Sequence, residues 1–280
     1  MITVLSIAGY DPSGGAGILA DIKTFAAFGC YGVAAITSLT FQNTVAVRGA
    51  SHQDPEVLGS QLQPLLDDFT IAALKTGMLP TPESIGVVAE VISEYKLPHL
   101  VVDPVVRSTS GFDLIDDRAL QELVRSLLPL AEVVTPNLAE AERLTGLKVS
   151  DLAGMRKAAE RLHHLCQSES SIHPPAILIK GGHLTEMATD LLFDGHEYHT
   201  FHGTRIETRN THGTGCTLSA AIAARLGQGA SLVEAISEAK RYVERSIRSA
   251  PGLGDGAGPL NHFHLPVEPS GARGDQNPEM

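Results

Sequence analysis

Six short runs rich in Val, Ile or Leu punctuate this chain: Thr3 to Ala8, Val33 to Thr40, Ala73 to Thr76, Leu100 to Asp103, Glu132 to Thr135 and Ala176 to Lys180. Runs without a polar face belong in strands buried on both sides, and parallel strands of that kind need crossover helices. The pattern therefore predicts an α/β protein with a central, mostly parallel sheet covered by helices on both faces. Between the runs, Ile18, Ile22 and Phe25 form a helical face closed by Gly29, and Thr81-Pro82-Glu83 starts a helix carrying Ile85, Val88, Ala89 and Ile92. Leu191 to Phe193 and Tyr198 to Phe201 flank Asp194-Gly195 and read as a hairpin at one sheet edge. Beyond Pro251 the chain turns rich in Gly, Pro and polar residues, and the end has too little apolar surface to order itself. One domain over residues 1–265 with a disordered tail over 266–280 is the expectation.

Charge narrows the partners. A formal net charge of -11 disfavours nucleic acid and anionic membrane surfaces, which attract positive proteins. Three widely spaced cysteines, Cys30, Cys166 and Cys216, without a C-x-x-C pair, argue for reduced thiols over a disulfide framework or a zinc site. With no basic leader at Met1 and no apolar stretch of membrane-spanning length, a cytoplasmic protein is expected.

Two loops carry the chemistry. Asn210-Thr211-His212-Gly213-Thr214-Gly215-Cys216-Thr217 precedes Leu218, Ile222 and Leu226 at helical spacing. The glycines permit a tight turn, and the unpaired N–H groups of the first helical turn suit phosphate oxygens. Ala8-Gly9-Tyr10-Asp11-Pro12-Ser13-Gly14-Gly15-Ala16-Gly17 leaves the first strand for the first helix, where open α/β sheets bind ligands. It lacks G-x-G-x-x-G in register, so a nicotinamide cofactor is not indicated.

Further segments stand in the same order: A-D-I-K-T from Ala20, Gln42-Asn43-Thr44, K-T-G-M-L from Lys75 and D-P-V from Asp103. T-P-N-L-A-E-A from Thr135, K-G-G-H from Lys180 and G-P-L-N-H-F-H from Gly258 complete the series. Together with the two loops they span more than 250 residues, and on them the chain resembles the hydroxymethylpyrimidine and phosphomethylpyrimidine kinases of thiamin biosynthesis. The resemblance implies the ribokinase-like three-layer sandwich, ATP and Mg²⁺ as cofactors, a small aminopyrimidine as substrate and a homodimer.

It also implies site roles, each with a plainer alternative. Gln42, Gly9, Asp21 and Met78 match positions lining the substrate pocket. A carboxamide at Gln42 offers donor and acceptor to an aminopyrimidine edge, or caps a strand end beside Asn43. Asp21 is a substrate carboxylate or a solvated helix charge, and Met78 a pocket wall or core packing. Lys180 matches the residue that neutralises nucleotide phosphate, and Asn137, Thr211, Gly213, Thr214 and Gly215 match further ATP- and phosphate-binding positions. Asn137 and Glu140 have capping-box spacing, and match the superfamily segment that organises hydrated Mg²⁺ with Asp103 as a second carboxylate. Cys216 stands where sugar kinases of the superfamily carry an aspartate base. A helix start and nearby lysine predict a lowered thiol pKa there, against the alternative of a small buried hydrophobe. His212, His262 and His264 suit structural or ligand-lining roles better than a metal site.

The implied activity is ATP-dependent phosphorylation of 4-amino-5-hydroxymethyl-2-methylpyrimidine and then of its monophosphate. A pyridoxal kinase or a dual-specificity enzyme is the competing reading, and a catalytically silent pyrimidine-binding protein a third.

Overall fold

The computed structural model describes residues 1–106, 114–167, 174–182 and 188–264. Among them nine strands form one sheet in the order β3-β2-β1-β4-β5-β6-β7-β8-β9. They are β1 (Thr3–Tyr10), β2 (Tyr31–Gln42), β3 (Val47–His52), β4 (Ile71–Thr76), β5 (Leu100–Val102), β6 (Val133–Val134), β7 (Ala176–Ile179), β8 (Ala188–Phe193) and β9 (Tyr198–Gly203). From β2 to β7 every pairing is parallel, while β3 at one edge and β8 with β9 at the other run antiparallel. All six expected strands are present, and the Asp194-Gly195 hairpin lies at an edge. β3 was not expected. Its sequence, V-R-G-A-S-H, carries no apolar run because an edge strand with both faces half-exposed buries little.

Residue alternation assigns the helices to two layers. Leu5, Ile7, Leu74, Val102, Val134 and Ile177 pack on one face against α2 (Pro55–Asp68), α3 (Pro82–Tyr95) and α6 (Leu152–Leu165). On that side too lie the short α4 (Asp117–Glu122) and α5 (Leu138–Thr145). Val4, Ala73, Val101, Val133 and Leu178 face α1 (Gly17–Ala27), α7 (Thr214–Gly227) and α8 (Leu232–Arg248). Helices thus cover both faces of the sheet, as the pattern of apolar runs predicts. The tail expected over 266–280 lies outside the described residues.

Chain direction then places the site. β1 connects through α1 to β2 on one side, whereas β4 connects through α3 to β5 on the other. Between β1 and β4 the winding reverses, and the carboxyl ends of the strands diverge into a crevice. Beneath it Lys75, at the end of β4, reaches α1 and places its Nζ 2.8 and 3.1 Å from the two carboxylate oxygens of Asp21. The Ser6 hydroxyl donates to Asp21 at 2.6 Å, and both charged side chains are 0% exposed. Asp21 is therefore not a solvated helix charge; its oxygens are committed to Lys75 and Ser6, and it does not itself line the cavity above.

Removing one member of such a pair strands the other charge in the interior. Lys75→Met should lower unfolding free energy by about 3–5 kcal/mol, and Lys75→Met/Asp21→Leu should recover most of it. Urea denaturation of both variants checks this; a double variant no more stable than the single would refute it.

Candidate active site

A cleft of about 1200 Å³ runs along the carboxyl edge of the sheet. Except for Asp21, every residue given a catalytic, substrate, phosphate or metal role from the sequence lines it. At one end Gly9 ends β1, Gln42 ends β2 and Met78 follows β4. Gly9 makes room there, since a Cβ at that position would lie 3.2 Å from the Met78 sulfur. In the middle Asp103 follows β5, Asn137 follows β6 and Lys180 follows β7, so three successive strands deliver their polar residues to one line. The far end is walled by Leu218, Val243 and Ile247 from α7 and α8, an apolar surface the sequence reading did not assign.

The loop at residues 211–217 meets this line from above the sheet. Gly213 has φ +82, and a Cβ there would sit 1.8 Å from the Gly15 carbonyl oxygen, so backbone conformation and close packing both require glycine. Thr214 N–H donates to Thr211 O at 3.3 Å and Thr217 N–H to Gly213 O at 2.9 Å. Between them the N–H groups of Gly215 and Cys216 have no backbone partner among the described residues, the arrangement that suits an anion at a helix start. The loop is locked to the first strand's loop by Asp11. Its carboxylate accepts from Ser13 N–H at 2.8 Å, Ser13 Oγ at 2.7 Å and Ala16 N–H at 2.9 Å, and lies 2.7 Å from His212 Nε2. Burial opposes that charge, but His212 and Ser13 outweigh it and hold the Asp11 carboxyl down at about 2. Asp11 was assigned no role from sequence and His212 only a structural or ligand-lining one, because the pair is 201 residues apart.

Charge is concentrated between these loops. Lys180 Nζ lies 2.8 Å from Asp103 Oδ1, with the side chains 15% and 3% exposed. Glu140 is 5% exposed; its carboxylate accepts from Asn137 N–H at 2.7 Å while Asn137 Oδ1 accepts from Glu140 N–H at 2.9 Å. The capping box is thus real, and it aims a carboxylate into the cleft as well. Burial pushes the Glu140 carboxyl up to about 7; Lys180 opposes the shift and Asp103 adds to it. Lys180 is raised, since Asp103 and Glu140 outweigh the burial that disfavours its charge. Burial likewise opposes the Lys75 ammonium, but Asp21, Cys216 and Asp103 hold it above its ordinary value. The expectation of a lowered Cys216 pKa is not met. Burial pushes this thiol up to about 11; Lys75 pulls it down, but Asp21 and Asp103 push the same way as burial.

His262 and His264 take structural roles, bonded to Thr217 and Ser246 respectively. No group of three or more His, Cys, Asp or Glu positioned for a metal occurs among the described residues. Asp103 and Glu140 nonetheless form a hard, all-oxygen donor pair beside an anion loop. That set fits a cation held mainly by phosphate oxygens and water.

A doubly wound sheet, a helix start with open N–H groups at its carboxyl edge and a buried lysine beside carboxylates are the features of a ribokinase-like phosphotransferase. Residues 11–261 match the profile of the phosphomethylpyrimidine kinase family, and the chain belongs to that family. It is 46% identical over 264 residues to the hydroxymethylpyrimidine/phosphomethylpyrimidine kinase of Rhizobium meliloti, covering 93% of this chain and 96% of the relative. It is 47% identical over 262 residues to the thiamine biosynthesis bifunctional protein ThiED of Geobacter sulfurreducens; the match covers 93% of this chain but 52% of that protein, so the chain spans about half its length. Among solved structures, Bacillus subtilis pyridoxal kinase in complex with ADP superposes with a TM-score of 0.84 at 36% identity, over 94% of this chain and 97% of that one.

The raised Glu140 carboxyl sets a stability test. A folded pKa of about 7 against an ordinary 4.5 means that the folded state holds more protons between those values, so stability falls as pH rises through that window. Between pH 5 and pH 8 the wild type should therefore lose on the order of 3 kcal/mol more stability than Glu140→Gln in urea denaturation, the opposite contribution of the lowered His262 being common to both. Equal pH dependence in both proteins would refute the assignment.

Proposed function

We infer that this chain transfers the γ-phosphoryl group of ATP to the hydroxymethyl oxygen of 4-amino-5-hydroxymethyl-2-methylpyrimidine, then phosphorylates the monophosphate to the diphosphate. The observation that carries this reading is the single cleft. One cavity is lined by Gly9, Gln42 and Met78, by the glycine loop at Gly213 to Cys216, and by the apolar Leu218, Val243 and Ile247. Gln42 would pair with the aminopyrimidine edge, and the Met78 sulfur would pack on the ring above Gly9. Leu218, Val243 and Ile247 would hold the adenine.

In the reaction the hydroxymethyl oxygen bonds to the γ-phosphorus, the bond to the β,γ-bridging oxygen breaks, and ADP leaves with that electron pair. Gly213, Thr214, Gly215 and Thr211 surround the transferred group, with the free N–H groups of Gly215 and Cys216 as donors. Lys180 offsets charge on the phosphates; such positioning and neutralisation supply most of the acceleration in phosphoryl transfer. Bound Mg²⁺, which Asp103 and Glu140 would hold together with Asn137 beside them, supplies further neutralisation of phosphate charge. The hydroxyl proton passes to the Cys216 sulfur when that group is ionised, a state the Lys75 ammonium favours.

We extend the reading to one domain over residues 1–265, a cytoplasmic setting and a homodimer. No described helix is long and apolar enough to cross a membrane. Leu39, Phe41 and Val45, exposed on β2 and the turn after it, offer apolar surface for a second copy to cover. The fold likeness to a pyridoxal kinase keeps pyridoxal as the second acceptor to test.

ADP release with Mg·ATP and, separately, hydroxymethylpyrimidine, its monophosphate or pyridoxal should show turnover of both pyrimidines to the diphosphate. Turnover of pyridoxal alone would reassign the substrate, and tight pyrimidine binding without turnover would mark a silent binder. With the thiol near 11, kcat should rise as pH goes from 7 to 9. Cys216→Ala should run about 10²-fold slower and lose that rise. Full turnover by this variant would remove Cys216 from the proton transfer.

A further inference from the structure

The motif Gly258-Pro259-Leu260-Asn261-His262-Phe263-His264 does not line the cleft, yet it holds the phosphate loop at both ends. At the loop's start the His212 N–H donates to Gly258 O at 3.2 Å, and His212 forms a β-bridge with Pro259. At its end Thr217 Oγ1 lies 3.1 Å from His262 Nε2, and both residues are buried, at 0% and 2% exposure. The strap is itself fixed to α8. Asn261 N–H donates to Ser246 O at 3.1 Å, Tyr242 OH to His262 O at 3.1 Å, and Ser246 Oγ lies 2.8 Å from His264 Nε2. A 17-residue helix thus braces the loop through seven residues of extended chain.

That bracing answers a deficiency in the loop. The N-cap of α7 is Gly213, which has no side chain to accept from the first turn, so the usual N-cap bond is missing. Thr217, whose N–H closes that first turn on Gly213 O, receives its second anchor from His262 instead. Burial, with Lys23 and His264 nearby, lowers the His262 pKa to about 4, so the ring is neutral near pH 7. The Leu260 carbonyl takes one ring N–H, which leaves Nε2 as the acceptor of the Thr217 hydroxyl.

We propose that His262 is a positioning residue for phosphoryl transfer: through Thr217 it holds the first turn of α7 so that the Gly215 and Cys216 N–H groups face the phosphates. The assignment rests on the kinase reading above, but the loop can be probed with the nucleotide alone. Binding of Mg·AMP-PCP would be followed by titration calorimetry beside kcat, the KM for hydroxymethylpyrimidine and the melting temperature. His262→Ala should weaken AMP-PCP binding and lower kcat by about 10-fold each while the pyrimidine KM moves less than about twofold. His262→Gln, which restores an acceptor for the hydroxyl, should regain most of both. Thr217→Val, close in shape, should reproduce the loss if His262→Ala fails to fold, and the double variant should be no worse than either single one. Unchanged AMP-PCP affinity and kcat in a destabilised His262→Ala, or losses that multiply in the double variant, would overturn the proposal. A wild-type protein that binds AMP-PCP but phosphorylates no pyrimidine would sink the kinase reading instead, leaving the His262 assignment to be decided by AMP-PCP affinity.

Discussion

Two buried ammonium groups share three carboxylates and a thiol at the carboxyl edge of the sheet, and the rest of the site is arranged around that imbalance. Lys75 is committed to Asp21, and Lys180 lies between Asp103 and Glu140. With all three carboxylates ionised the cluster carries one negative charge, counting three carboxylates against two ammoniums. A polyphosphate entering such a site meets repulsion unless a proton or a cation comes with it. Burial raises the Glu140 carboxyl, Lys180 opposes the shift and Asp103 adds to it, so a proton taken up there relieves part of the imbalance. On the proposed reading, a divalent cation bound with the nucleotide would provide the same relief without a proton.

Cys216 sits within the same field. Its position at a helix start suggests a stabilised thiolate, and Lys75 acts in that direction. Burial and the two nearby aspartates act more strongly the other way. Lys75 cannot give its full charge to the thiol because Asp21 takes most of it at 2.8 Å. Asp21 thereby gains a function that its sequence position did not suggest. It keeps a lysine charged in the interior, and it limits how far that lysine can ionise the cysteine above it.

Local patterns in the sequence resolved the fold because parallel strands buried on both faces announce themselves as apolar runs. They resolved most of the cleft because one-dimensional rules apply there: residues that end parallel strands converge on the carboxyl edge, as Asp103, Asn137 and Lys180 do. The capping box of Asn137 and Glu140 was readable from a spacing of three. What stayed hidden depends on partners far apart in the chain. Ser6, Asp21 and Lys75 meet across 69 residues, and Asp11 meets His212 across 201, so no window of sequence shows that these charges neutralise each other. β3 escaped for the opposite reason, as it buries too little to leave a pattern.

The same long-range logic explains how α7 can begin after Gly213 without a capping side chain. A loop that must admit phosphate oxygens cannot spend its first-turn N–H groups on an internal cap, since a capped donor is lost to the ligand. It must instead be held from behind and from its ends. Asp11 grips His212 on the side of the first strand, and Gly258 and His262 grip residues 212 and 217 on the side of α8. Gly258 and His262 do not line the cleft. Rigidity and an open binding face are thereby supplied by different residues, and the donors stay preorganised for charge that develops only during transfer.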